Sequence, residues 1–417
     1  MVATPFGLKH LTEKQRELLE QFKRRFENRS EPYLTDDKFL LHWLKGRKYD
    51  LDKAENLLKM HLRYRECLGI DCSWYLDFDA FPLDPVLLEF YPNGFGGFTK
   101  TGLPVTYHSY GRMDGKGLMM GVLTSTIYRT LFRFGEYERS LCQRSSRERN
   151  IEVEQVVVVI DVEHLGLQHF WGPGISVFQL LSEYYEKHFP EHVFKFLVIN
   201  APTLFAAIFK IIRPLLDENT QSKIEVYGSS GWQEMLRELI DIDNLPEHYG
   251  GTAKPVSEKP CADQNIVMGS PVPSKHYMSP TYEWPKEENI IKINVPRGSS
   301  RLLHVHVRHP GSYLAWHVSA GNYDVGIGLY YYSSDYLTEK EIENVCNTDL
   351  ENCPMVAPQF KLFTLLAERG QVKVQKTGTY ILYLDNSYSR WTSKDVEYFL
   401  ESRDTPAPSV EIHYSCV

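Results

Sequence analysis

The chain has 417 residues, a hydrophobic share of 42%, an aromatic share of 13% and a formal net charge of −8. That length exceeds one ordinary core and divides into two or three domains, and the apolar content excludes a disordered chain. The acidic balance argues against general nucleic-acid binding, and no apolar run approaches the roughly 20 residues of a membrane-spanning helix.

The seven cysteines, Cys67, Cys72, Cys142, Cys261, Cys346, Cys353 and Cys416, are odd in number and lack CxxC spacing, which fits reduced thiols rather than a disulfide framework or a structural zinc site. The first residues have no apolar stretch of the signal-peptide kind, so a cytoplasmic chain is expected and the sequon at Asn28 is expected to be unused. Residues 1–70 run against the overall charge, with 15 Lys and Arg facing 11 Asp and Glu. That excess suits either an anionic membrane or a solvated helical surface.

Helices come first. Leu11, Leu18, Leu19, Phe22 and Phe26 recur at helical spacing in 11–27, Phe39, Leu40, Trp43 and Leu44 do so in 37–44, and 51–65 carries a third apolar face with Asp50 placed to cap it. The glycine-rich run 93–98 lacks the lysine and hydroxyl of a P-loop and reads as a turn. A strand is expected over 103–110 and a long helix over 123–148. Val156 to Ile160 shows no polar alternation, the mark of a parallel strand covered on both faces. A helix around 174–187 and a second apolar strand, 194–199, complete a crossover unit.

Asn200-Ala201-Pro202 then stops the strand, and Thr203 is placed to cap a helix over 203–212. This helix is apolar nearly all round, with Lys210 its only charge, so it must be covered on all sides or meet something other than water. A short strand at 224–227, a helix at 232–240 and a Pro/Gly-marked exit at 245–251 follow. Residues 253–288, rich in proline, read as a linker. Beyond them, short β-rich runs at 290–295, 302–307, 313–318, 325–332, 371–374 and 380–384 predict an antiparallel β-sandwich.

Catalytic signatures are weak. Gly228-Ser229-Ser230-Gly231 is one residue short of a nucleophile elbow. Asp161, Glu163, His164 and His169 follow the buried strand, where α/β sheets place ligand groups, but Asp161 can equally order the turn through backbone hydrogen bonds. His304, His306 and Arg308 alternate along one strand and predict an outward basic stripe rather than a metal site. Glu191, Thr220 and Lys223 bracket the apolar helix and could meet at the mouth of a pocket, Lys223 pairing with a phosphate, Thr220 donating a hydroxyl and Glu191 accepting from a polyol.

The order of these features resembles the CRAL-TRIO lipid-transfer family. The resemblance rests on Phe39 to Leu51 (FLLHWLKGRKYDL), Phe189-Pro190-Glu191, Phe196 to Pro202 (FLVINAP), Ile212 to Asp217 (IRPLLD), Lys223-Ile224 and Leu245 to Gly251 (LPEHYGG), and covers roughly residues 11–251. The C-terminal part resembles a GOLD β-sandwich through Arg297 to Ser300 and Gly378 to Tyr388. The resemblance implies a cytosolic, non-enzymatic carrier of a hydrophobic lipid such as a phosphoinositide, tocopherol or squalene. It implies a headgroup site at Glu191, Thr220, Lys223 and Arg47, and a gate or apolar pocket wall at Leu204, Phe205, Ile208, Phe209 and Ile212. His192 stands where phosphatidylinositol carriers have arginine, and Gly166 and Gln168 replace the serines of choline-lipid carriers.

The expected fold is therefore an α/β lipid-binding domain with an N-terminal helical segment and a C-terminal antiparallel β-sandwich. The expected boundaries are 1–75 for the helical segment, 76–252 for the lipid-binding domain, 253–288 for the linker and 289–404 for the GOLD-like sandwich. No cofactor or metal is expected beyond the bound cargo. Partners are a lipid, a transiently contacted membrane with reversible peripheral association, and a protein reached through the GOLD-like domain; nucleic acid is not one. Two other readings are a lipid-responsive recruitment module and a lipid-modifying enzyme, the latter needing a convergent site near Asp161.

Overall fold

The computed structural model describes residues 7–72, 75–79, 82–166, 169, 181–256, 263–279, 283–321, 323–362, 366–408, 410, 412 and 413. Gln168, Cys261, Cys416 and the first part of the helix expected at 174–187 lie outside them. Two compact units emerge, one comprising Met1–Lys59, Phe78–Leu118 and Phe132–Val272, the other Met60–Asp77, Met119–Leu131 and Pro273–Val417.

The N-terminal helices follow their local signals. Helix α1 (Glu13–Arg24) starts on a capping box in which Thr12 and Gln15 satisfy each other's backbone amides, and it buries Leu19 and Phe22. Helix α2 (Asp37–Gly46) is capped by Asp36 and buries Phe39, Leu40, Leu41, Trp43 and Leu44. Asp50 accepts from the Lys53 amide at 3.1 Å as α3 (Leu51–Leu68) begins. Helix α4 (Pro85–Phe90) has Asp84 as its cap and proline in its first turn, where no amide donor is required.

The glycine-rich run expected as a turn is instead strand β1 (Gly94–Phe98). It pairs antiparallel with β2 (Pro104–His108) through a register shift between Phe95 and Phe98. A Cβ at Gly96 would run into the Tyr107 ring, and Gly97 takes φ +90°, so the glycines serve close packing and a bulge rather than chain reversal. Part of the expected linker lies along the same strand. The Gln264 amide donates to the Phe95 carbonyl at 2.9 Å and the Val267 amide to that of Asn93 at 3.0 Å, covering an otherwise open sheet edge.

After the short helix α5 (Gly115–Gly121) and the long α6 (Thr124–Arg149), strand β3 (Val156–Asp161) runs parallel to β2. The described part of α7, residues 181–188, leads to β4 (Val193–Ile199), parallel to β3. Helices α8 (Thr203–Ile212) and α9 (Glu218–Ser222) precede β5 (Ile224–Val226), and α10 (Trp232–Leu239) follows. The sheet order is β1-β2-β3-β4-β5. Gly228 to Gly231 forms a turn in which Gly231, at φ +85°, is the N-cap of α10, not a nucleophile elbow.

Strand periodicity sorts the central residues. Val157, Val159, Leu197 and Ile199 pack with Trp232, Leu236 and Leu239 of α10. Val162 and Val198 turn to the other face and meet Phe205 of α8. The absence of polar alternation in β3 thus reflects two apolar faces, each with its own cover.

In the second unit, β6 (Ile291–Val295), β7 (Ser300–Val307), β8 (Tyr313–Ser319), β9 (Val325–Ser333), β10 (Met355–Leu362), β11 (Glu368–Lys373), β12 (Gly378–Asp385), β13 (Lys394–Arg403) and β14 (Ile412–His413) form two sheets. Their orders are β10-β9-β12-β7 and β14-β11-β8-β13-β6, with every pairing antiparallel except β11 with β14. The architecture is an α/β domain with an N-terminal helical region and a C-terminal antiparallel β-sandwich. Strands β10 and β13 were not legible in the sequence. Pro358 and two register shifts interrupt β10, and β13 intersperses Lys394, Asp395, Glu397, Glu401 and Arg403 among its apolar residues. Of the stripe expected to point outward, His304 and His306 on β7 are half-buried, with His306 Nε2 2.9 Å from the Leu337 carbonyl, whereas Arg308, just past the strand, is exposed.

Candidate functional site

A cavity of about 950 Å³ lies within the first unit, beneath α8. Its volume is at the upper end of ordinary ligand pockets, which run about 300–1,000 Å³. Val158, Ile160, Phe196 and Val198 supply its floor from β3 and β4, and Phe205, Ile208, Phe209 and Ile212 its cover from α8. At one end the lining becomes polar, with Arg47, Glu186, Glu191, Asp217, Thr220 and Lys223.

The cover has an unusual start. Pro202 occupies the N-cap with φ −71° and ψ 164° and no side-chain hydrogen bond, which corrects the expectation that Thr203 caps the helix. Proline fixes the extended entry by its ring, so Thr203 sits inside the first turn. Just before it, Asn200 takes φ +57° and donates from Nδ2 to Asp161 Oδ1 at 3.0 Å. Phe205 and Ile208 are buried, and the rings of Phe205 and Phe209 stack with centroids 5.6 Å apart. Ala206, Ala207 and Ile211 face solvent, Ile211 at 61% exposure, so the helix is not a fully covered packing element. Leu204 is half-buried and does not line the cavity. Beyond the helix, Gln221 Nε2 donates to the carbonyls of Arg213 and Leu216 at 3.0 and 2.9 Å while Gln221 Oε1 accepts from Arg213 Nε at 3.0 Å, pinning the turn that follows.

Residues 88–251 match the family model of the CRAL/TRIO domain. The chain carries a CRAL-TRIO lipid-binding domain. Protein ctg-1 of Caenorhabditis elegans is 24% identical over 375 residues, covering 88% of this chain and 92% of that one. Protein real-time of Anopheles gambiae is 25% identical over 427 residues, covering 90% of this chain and 61% of that one. The chain thus spans less than two thirds of the mosquito protein's length. The crystal structure of Sfh5 aligns at 16% identity with a TM-score of 0.40, covering 62% of this chain and 93% of that one. The CRAL-TRIO domain is a lipid-binding and lipid-transfer module.

At the polar end of the CRAL-TRIO cavity, residues distant in sequence converge. Lys223 Nζ lies 3.1 Å from Glu191 Oε2, with side-chain exposures of 16% and 9%. Asn219 Nδ2 donates to Glu191 Oε1 at 2.6 Å. Glu191 itself has φ +58°, a conformation non-glycine residues rarely adopt, which orients its carboxylate toward this end at the expense of backbone strain. Asp217 accepts from the amides of Asn219 and Thr220 at 2.9 and 3.1 Å and from the Thr220 hydroxyl. Arg47 Nη1 donates to the Gly46 carbonyl at 2.9 Å. Burial lowers the Lys45 ammonium despite the opposing pull of Glu191. Burial and the neighbouring Asp217 carboxylate raise Glu186. Acids and bases are interleaved here, and each headgroup candidate already has a protein partner.

His192 is buried, borders the cavity and has its Nε2 3.3 Å from Glu138 Oε2. Asp161 is buried and spends Oδ1 on the Glu163 amide at 2.9 Å and on Asn200, while Glu163 pairs with Arg112 at 2.6 Å. These contacts order the turn rather than activate a nucleophile. Among the described residues, no group of three or more His, Cys, Asp or Glu is placed to hold a metal ion, and no helix is long and apolar enough to cross a membrane. Sequence reasoning missed Glu186, Asp217 and Asn219 at the polar end. Asp217 had a signal in the cap position before 218–222, whereas Asn219 had none.

Proposed function

We propose that the chain carries single lipid molecules between membranes, with the apolar part of the cargo beneath α8 and its polar head beside Arg47, Glu191, Thr220 and Lys223. The observation that carries this reading is the graded cavity, apolar under α8 and polar at the Glu191–Lys223 end. Each buried methylene is worth about 0.8 kcal/mol, so a pair of 16-carbon chains exposed to water would cost on the order of 25 kcal/mol. A carrier must replace the bilayer's apolar environment, and α8 opens to do so. Its solvent-facing Ala206, Ala207 and Ile211 suit contact with acyl chains while the cavity is open. The chain works in the cytoplasm with reversible peripheral membrane association.

A phosphoinositide fits a site that offers both Lys223 for a phosphate and carboxylates for inositol hydroxyls. To bind, its phosphate displaces Glu191 from Lys223. That existing pair favours a second cargo, a neutral isoprenoid such as tocopherol or squalene, which needs no free cation. The pairing of modules is similar to that of the animal supernatant protein factor, also called tocopherol-associated protein, and assigns the GOLD-like sandwich to membrane or protein contacts.

The test exposes the purified chain to a natural membrane mixture, identifies retained lipid by extraction and mass spectrometry, and follows its delivery to acceptor vesicles. Stoichiometric lipid recovered unchanged after transfer is the expected result. Absence of retained lipid together with absence of transfer overturns the reading, and a chemically altered product would point to an enzyme.

A further inference from the structure

Trp391, in the loop joining β12 to β13, is 85% exposed, the most of any large apolar side chain among the described residues. An exposed tryptophan on a floppy loop would carry little information, but this loop is held. Asn386, fully buried at its base, donates from Nδ2 to the carbonyls of Val295, Pro296 and Thr392 at 3.1, 3.1 and 3.0 Å. The Gly298 amide donates to the carbonyls of Asn386 and Ser389 at 3.1 and 2.8 Å, and the Arg297 amide to Ser393 Oγ at 3.2 Å. The β6–β7 loop is thereby fastened to the β12–β13 loop. The β8–β9 loop joins them, because Lys394 Nζ reaches Asp324 Oδ1 at 2.6 Å and the Tyr388 hydroxyl at 3.0 Å.

The end of the sandwich so formed has a consistent chemistry. Trp391 is accompanied by exposed Tyr388 and Tyr323, at 40% and 45%. Arg390 and Arg297 are exposed beside them, and Lys361 lies over the Tyr388 ring at 3.8 Å. Lys361 and buried Lys394 pair with Asp324, so exposed Arg297 and Arg390 supply the cations of this end, alongside exposed Asp395 and half-buried Asp385. Amphipathic aromatic rings flanked by Arg and Lys are the composition that settles at a bilayer's headgroup level, where basic groups are drawn to anionic lipid. A single projecting indole with a cationic rim suits insertion into a bilayer, whereas a protein partner of ordinary affinity requires a broad complementary patch of about 800 Å² per side.

We propose that these three loops form a membrane-docking tip that places Trp391 in the headgroup boundary of an anionic bilayer. The tip deepens the carrier reading and rests on it only for the purpose of docking. The full chain is floated with vesicles of phosphatidylcholine containing phosphatidylserine, and with phosphatidylcholine vesicles alone. Wild type binds the anionic vesicles preferentially. Trp391→Ala weakens that binding by about tenfold or more. Arg297→Glu with Arg390→Glu weakens it by about fivefold per residue at low salt, with little effect at high salt. Trp391→Phe retains most of the binding but loses the fluorescence quenching that bromine-labelled acyl chains produce in wild type. The melting temperature of each variant is unchanged, as expected for exposed side chains. Equal binding by wild type and Trp391→Ala, or no binding by wild type, overturns the tip. So does a Trp391→Ala effect confined to self-association or to a protein partner. Lipid retained by Trp391→Ala is measured in parallel. Normal cargo with unaltered vesicle binding sinks the tip and leaves the carrier standing, while Trp391-dependent binding by a chain that never holds lipid does the reverse.

Discussion

Helices α8 and α10 lie against opposite faces of one sheet, yet they are attached very differently. Helix α10 is amphipathic and sinks Trp232, Leu236 and Leu239 into a core shared with β2, β3 and β4. Helix α8 is far more apolar, but among the described residues it buries Phe205 and Ile208, with Phe205 in a small cluster with Val162 and Val198. Much of its remaining apolar surface faces the cavity or solvent. Hydrophobicity therefore does not measure how firmly an element is held. What counts is the apolar area removed from water in the folded protein, and a helix with few such contacts belongs to the low-stability end of the molecule.

The contrast is broken most directly by truncating both anchors. Leu236→Ala removes a fully buried side chain and is expected to cost about 2–5 kcal/mol, read as a large fall in melting temperature. Phe205→Ala should cost clearly less while accelerating loss of cargo; equal destabilisation would make α8 as structural as α10. Acid supplies the next largest effect. Burial pushes His42 and His188 of the first unit below the ordinary imidazole value, and burial with the neighbouring Arg369 charge takes His317 of the sandwich to about 4. The unfolded chain binds these protons first, so stability is complete above about pH 6.5 and is lost as pH falls through the window below it. A melting temperature unchanged between pH 7 and pH 5 would refute this.

At the polar end of the same cavity, Lys223→Ala is expected to reduce phosphatidylinositol loading by about tenfold or more, from the roughly 1.5–3 kcal/mol of a charge-assisted hydrogen bond. Glu191 retains Asn219, and loading of a neutral isoprenoid should be unaffected. A parallel loss of both cargoes would assign Lys223 to structure. Ile211→Ser, on the exposed face of α8, should leave the unfolding free energy within about 0.5 kcal/mol of wild type but slow intermembrane transfer. The smallest effect belongs to Glu186→Gln. Glu186 titrates above its ordinary value, so ionising it opposes folding as pH rises above about 4.5. The variant should melt slightly higher than wild type at pH 7, with the gain fading by pH 4, and a lower melting temperature at pH 7 would contradict it.

Much of this contrast was legible before any coordinates. The bounds of α8 follow from Pro202 and from the end of its apolar run, and the two-faced burial of β3 follows from five aliphatic residues in succession. These are local signals, carried by proline's fixed backbone and by side-chain periodicity. The polar end was legible only as separated letters. Glu191 and Lys223 are 32 residues apart, and nothing local indicates that they meet at 3.1 Å or that Glu191 is held at positive φ. Asn219 and Glu186 were missed for the same reason.

The sequence by itself determined many of the helices and strands, where α8 begins and ends, and that its surface demands a cover other than water. Backbone sterics and burial periodicity act over a few residues, and the sequence contains them in full. Only the tertiary structure decided that the glycines of 94–98 build a strand, that one flank of α8 is left open, and that Lys223 is already paired. Those outcomes depend on what the rest of the chain brings alongside: the Tyr107 ring on Gly96, the cavity beneath Phe205, and the Glu191 carboxylate at Lys223.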